Sequence, residues 1–161
     1  MNLRNIAIIA HVDHGKTTLV DGLLKQSNIF RENEALMTQE LIMDSNDQER
    51  ERGITILAKN TAVNYKGVKI NIIDTPGHAA FTSIRERGSR TADIAILVVS
   101  AEDGVKPQTV EAIDWIKKSN IPFLVAINKI DKPDADPDRV RNELSQFGVI
   151  SEDWGGDTQF V

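Results

Sequence analysis

At 161 residues the chain has the length of one domain, with enough sequence for a single sizeable core. Its apolar and charged fractions, 40% and 27%, are ordinary for a soluble globular protein, and a net charge of −5 excludes a generally basic nucleic-acid surface. There is no cysteine, which excludes disulfides and thiolate metal sites, and no apolar run reaches membrane-spanning length. A cytoplasmic protein with no membrane or direct DNA contacts is expected.

The apolar run Ile6-Ala7-Ile8-Ile9 predicts a first strand over 3–9, and Leu19, Val20, Leu23 and Leu24 predict one face of a helix over 16–27. Between them lies Ala10-His11-Val12-Asp13-His14-Gly15-Lys16-Thr17-Thr18. Its Ala-x4-Gly-Lys-Thr spacing is that of a P-loop, with alanine at the first position in place of the usual glycine. Backbone N–H groups at the start of a helix attract phosphate oxygens, and Gly15 lets the main chain approach them closely. Lys16 supplies a point charge to the β- and γ-phosphates, and the Thr17 hydroxyl is a ligand for Mg²⁺.

A long polar stretch follows over 28–53, and a connection of that length inside a compact domain is usually functional or mobile. It ends in Arg52-Gly53-Ile54-Thr55-Ile56, where Thr55 is the candidate for a second hydroxyl on Mg²⁺. Residues 54–65 and 68–73, joined by Lys66-Gly67, read as a β-hairpin. The loop Asp74-Thr75-Pro76-Gly77-His78 comes next. Asp74 is placed to hold Mg²⁺ through water, and the Gly77 N–H to meet the γ-phosphate. His78 is then placed to position the attacking water.

A short helix is expected over 79–89 and a strand buried on both faces over 94–99. A helix over 107–118 would bury Val110, Ile113, Trp115 and Ile116, and a second buried strand spans 122–127. That strand ends at Asn128-Lys129-Ile130-Asp131. A carboxylate at Asp131 can accept from both N1–H and the 2-amino group of guanine, a donor pair that adenine lacks. The Lys129 stem can lie over the base, and Asn128 can brace the P-loop. A helix over 137–147 would bury Val140, Leu144 and Phe147, and residues 159–161 could begin one more strand. Strands alternating with helices imply a mainly parallel, doubly wound sheet with one antiparallel edge, its ligand beyond the strands' carboxyl ends. His11 and His14, both inside the P-loop, read as residues that form local hydrogen bonds or face solvent, within the nucleotide-binding set His11 to Thr18.

Together these motifs resemble the GTP-binding domain of translational GTPases, over essentially the whole chain. The resemblance implies a Ras-like P-loop NTPase fold that binds GTP and GDP, with Mg²⁺ held by Thr17 and Thr55 and His78 as the catalytic residue. It also implies an apolar gate of Val12 and Ile54 that keeps His78 from the γ-phosphate, and an orienting role for Asp13. The family's partner is the ribosome, which further domains of those proteins dock. The family's Ser-Ala-Lys loop, which contacts the guanine base, lies beyond Val161, so the last strand and helix are expected to be incomplete.

The two halves resemble different members. Residues 2–77, especially Met43-Asp44-Ser45-Asn46-Asp47 and Leu57-Ala58-Lys59-Asn60-Thr61, are similar to the BipA (TypA) ribosome-associated GTPase. From His78 onward, Ala79-Ala80-Phe81-Thr82-Ser83, Lys106-Pro107-Gln108-Thr109 and Trp154-Gly155-Gly156 are similar to bacterial initiation factor two. This pattern implies an engineered chimera joined within 74–79, or else an unusual natural homologue. The functional alternatives are a slow GTP hydrolase and a chimera that binds guanine nucleotide weakly without significant hydrolysis.

Overall fold

The structure is a computed structural model that describes residues 2–26, 59–74 and 92–161. The expectations for Thr55, Ile54, Gly77, His78, the polar stretch over 28–53 and the helix over 79–89 lie outside the described residues.

The elements are β1 (Asn2–Ala10), α1 (Lys16–Gln26), β2 (Lys59–Tyr65), β3 (Val68–Asp74), β4 (Ile94–Ser100), α2 (Pro107–Ser119), β5 (Phe123–Asn128), α3 (Pro137–Gln146) and β6 (Gln159–Phe160). They form one six-stranded sheet in the order β2-β3-β1-β4-β5-β6. All neighbours run parallel except β2 and β3, the antiparallel hairpin closed by Lys66-Gly67. Register brings the strand ends to one edge, with Ile8 opposite Asp74, Ala10 opposite Val98 and Ser100 opposite Asn128. The doubly wound, mainly parallel arrangement expected from the alternating pattern is the one observed.

Because β1 is covered on both faces, its apolar run divides between two cores. Ile8 and Ala10 join Val20, Leu24, Val63, Ile72 and Val98 on the α1 side. Ile9 joins Ala95, Leu97 and Val99 beneath Ala112, Ile113 and Ile116 of α2 and Val140 and Leu144 of α3. Pro107 and Pro137 open α2 and α3, where a missing N–H costs nothing. Asp136 caps α3 by accepting the Arg139 N–H at 2.9 Å.

Several side chains depart from the pattern. On α2 the buried face is Thr109, Ala112, Ile113 and Ile116, while Val110 and Trp115 are only half-buried. The polar Thr109 can be buried because its hydroxyl accepts the Lys106 N–H at 3.2 Å. Phe147 lies just past α3 and is 39% exposed; the chain turns there, and Val149 supplies the buried side chain instead. Leu23 is 38% exposed and borders an apolar surface cavity with Ile6, Val63, Ile70 and Ile96.

Candidate functional site

The loop between β1 and α1 sits on the carboxyl edge of the sheet, between the ends of β3, β4 and β5. Gly15 closes it at φ +82°, a left-handed conformation that a side chain resists. A Cβ there would also overlap the Asn128 amide nitrogen, so glycine is required for space as well as for backbone. The helix starts at once, the Leu19 N–H donating to the Gly15 carbonyl at 3.0 Å. Asp13, at φ +63°, is exposed, Val12 is half-buried, and Thr17 and Thr18 open the first turn half-buried and exposed respectively.

Lys16 is buried and its ammonium pairs with the carboxylate of Asp74, which is fully buried at the end of β3. A lysine and an aspartate this enclosed are tolerable only as partners. Thr17 and Asp74 bring an oxygen-only donor set to the loop, which suits a hard divalent cation. Among the described residues no group of three or more His, Cys, Asp or Glu side chains could hold a metal. Phosphate oxygens and waters would have to complete the shell, the usual situation of Mg²⁺.

Asn128, the last residue of β5, donates its side-chain amide to the His14 carbonyl at 3.0 Å. The turn that carries Asp131 is thereby tied to the phosphate loop. Asp131 itself is exposed, and Lys129 follows Asn128 in a left-handed conformation at φ +60°. The Lys129 ammonium lies 3.6 Å from Asp103 and 3.9 Å from Glu102, in the turn after β4. Burial raises the Asp103 pKa, but the Ser100 hydroxyl, His14, Lys129 and Lys106 together outweigh it and hold the carboxyl below the usual range.

The histidines of the loop turn inward. His14 is fully buried, and its Nδ1 accepts the Ser100 N–H at 3.3 Å. Burial, reinforced by His11, lowers its pKa to about 4, so the ring is neutral at physiological pH. His11 packs edge-on against it with ring centroids 5.0 Å apart, and its Nδ1 bonds to Gln108 in the first turn of α2. Any contact of His14 with a phosphate would therefore come from its main chain.

Motif reading did not single out Ser100, Asp103 or Gln108 as site residues. Gln108 stands beside Pro107 at a helix start, and Ser100 is the small polar residue ending an apolar strand. Those positions were a usable signal.

Residues 1–159 match the family model for the elongation factor Tu GTP binding domain. Translation initiation factor IF-2 of Caldicellulosiruptor saccharolyticus is 48% identical over 157 residues, covering 97% of this chain and 16% of that protein. IF-2 of Staphylococcus epidermidis is 49% identical over 156 residues, covering 97% and 19%. The chain thus spans less than a fifth of the length of these relatives. A crystal structure of a protein from Thermus thermophilus superposes with a TM-score of 0.80 at 25% identity, covering 91% of this chain and 22% of that one. Bacterial selenocysteine-specific elongation factor EF-Sec superposes at 0.74 with 26% identity, covering all of this chain and 25% of that one. With the 10–18 loop, Asp74 and the 128–131 turn on one sheet edge, and with this match over nearly its whole length, the chain belongs to the elongation factor Tu type of GTP-binding domain.

Proposed function

We propose that this chain binds GTP and GDP with Mg²⁺ and hydrolyses GTP to GDP and phosphate. The observation that carries the reading is the Asn128–His14 hydrogen bond. It holds the base-side turn against a phosphate loop whose lysine is already buried beside Asp74, so phosphate and base groups converge on one nucleotide. In this reading the 11–18 main chain and Lys16 take the phosphates, and Asp131 accepts from the guanine edge with the Lys129 stem over the ring. The Thr17 and Thr55 hydroxyls, and Asp74 through water, would hold Mg²⁺, which would supply charge neutralisation at the phosphates. Gly77 donates its N–H to the γ-phosphate. His78 orients the water that attacks the γ-phosphorus as the bond to the bridging oxygen breaks and GDP leaves. Val12 and Ile54 gate that histidine, and Asp13 assists the water.

Positioning and charge stabilisation supply the rate. No arginine finger is identifiable in the sequence, so unaided turnover is expected at about 10⁻⁴ to 10⁻² s⁻¹, the range of unstimulated GTPases. The relatives' names support a role in translation, with ribosome docking left to other parts of such proteins.

Titration with a fluorescent GDP analogue plus Mg²⁺ tests binding: saturation is expected, and none at high micromolar protein overturns the reading. Single-turnover hydrolysis by wild type and His78→Ala tests the enzyme. Wild type should be faster, and equal, background-level rates would leave a weak nucleotide-binding module instead.

The mosaic pattern around His78 supports a second, separate reading, a chimera of BipA-like and initiation-factor-like halves joined within 74–79. Aligning each half against both families tests it. One family leading across both halves overturns it.

A further inference from the structure

His14 is buried in the loop between β1 and α1, and its imidazole turns to the end of β4. Nδ1 accepts the Ser100 N–H, which leaves the ring proton on Nε2. That Nε2 is buried and has no hydrogen-bond partner. The nearest acidic oxygen, Asp103 Oδ2, is 3.9 Å away, and the same oxygen is 3.6 Å from Lys129 Nζ. The His14 carbonyl meanwhile accepts the Asn128 amide. One residue therefore touches the turn after β4 through its ring and the end of β5 through its main chain. A leucine of similar size would fill the space without an unsatisfied N–H, which costs about 1–3 kcal/mol. Histidine is the costlier occupant; its main-chain N–H stays within the loop on the His11 carbonyl, while its ring Nδ1 and its carbonyl meet the ends of β4 and β5.

We infer that His14 is a positioning residue for the guanine side of the site: through Ser100 and Asp103 it sets the place of Lys129 relative to the phosphate loop. This role rests on the nucleotide reading above. It predicts that the Ser100 N–H acceptor is the essential atom, since that bond fixes the turn that carries Asp103. Asparagine, whose Oδ1 can replace Nδ1, should serve in its place, whereas leucine should not.

GDP affinity, with Mg²⁺ present, is measured for wild type, His14→Leu, His14→Asn, Lys129→Met and the His14→Leu/Lys129→Met double variant. His14→Leu should weaken GDP about tenfold, the scale of one lost buried polar partner, and His14→Asn by less than about threefold. In the Lys129→Met background the leucine change should have little further effect, because its action runs through Lys129. Equal factors in both backgrounds would mark His14 as a purely structural residue and overturn the role. If the wild type itself shows no saturable binding, the nucleotide reading falls, and this role with it. Should leucine prevent folding, ¹⁵N NMR of the imidazole carries the test on folded protein. His14 is expected as the Nε2–H tautomer, its resonances shifting on GDP addition in wild type and not in Lys129→Met. A proton on Nδ1, or the same response in both proteins, overturns it.

Discussion

Lys16 and Asp74 form a buried ion pair between the first turn of α1 and the last residue of β3. Two enclosed charges hold the phosphate loop against the sheet, and a nucleotide with its cation would draw on both. Removing one partner leaves the other's charge in a low-dielectric site, at a cost of about 3–5 kcal/mol. Lys16→Ala is therefore expected to lower unfolding free energy by about 3 kcal/mol and to abolish GDP binding. Urea denaturation followed by circular dichroism measures the first effect, and a variant as stable as wild type would contradict the burial argument.

Gly15 and Asn128 give a second test, since the Asn128 amide occupies the space a side chain at Gly15 would need. Gly15→Ala must shift Asn128, break its bond to the His14 carbonyl and hold alanine at a positive φ. The expected loss is about 1–3 kcal/mol of stability, from the strained backbone alone, together with at least about tenfold weaker GDP binding. Thermal melting and titration measure the two. Unchanged affinity would show that the Asn128 tie is dispensable.

Much of the scaffold was legible because its signals are local. The apolar runs of β1, β4 and β5 and the prolines opening α2 and α3 each specify an element within a few residues. The direction of the His14 ring was not legible. It depends on Ser100, 86 residues away in sequence, presenting an N–H at the end of β4. Likewise nothing in the spacing of 128–131 shows that Lys129 faces Glu102 and Asp103, because that pairing follows from the parallel register of β4 and β5. Val110 and Phe147 look like core residues by type. The face of α2 turned to the sheet is the one that packs Ala112, Ile113 and Ile116 into the core, with Thr109 tolerated there because its hydroxyl is satisfied locally, and α3 ends before Phe147.

Acid should destabilise the fold through His14. Its pKa falls from 6.5 to about 4 on folding, with burial first, His11 and Lys129 acting in the same direction, and Asp103 and a backbone hydrogen bond with Val98 opposing. Between those two pH values the unfolded chain binds the proton and the native state does not. The contribution is thus complete above about pH 6.5 and is lost as pH falls to about 4. Its size is of order 3 kcal/mol. His14→Asn should flatten this part of the stability profile, measured by urea unfolding at a series of pH values. A profile of unchanged slope would show that another group drives it.

Base specificity is the last test, and it concerns a single exposed carboxylate. Asp131 stands in the turn after β5, three residues beyond the Asn128 bond that fixes this turn to the phosphate loop. A carboxylate there matches the paired N–H donors of guanine, whereas an amide matches the donor–acceptor edge of xanthine. Asp131→Asn should weaken GDP by about two orders of magnitude or more, since a charged, bidentate contact is replaced by a mismatched one. It should strengthen XDP in return. Competition between the two diphosphates for a fluorescent analogue reads the exchange directly. Because Asp131 is exposed and lies outside the helices and strands, folding should be unaffected, so a changed preference reports recognition and not stability. An unaltered preference for GDP would remove Asp131 from the base site and leave only the phosphate half of the proposed nucleotide site standing.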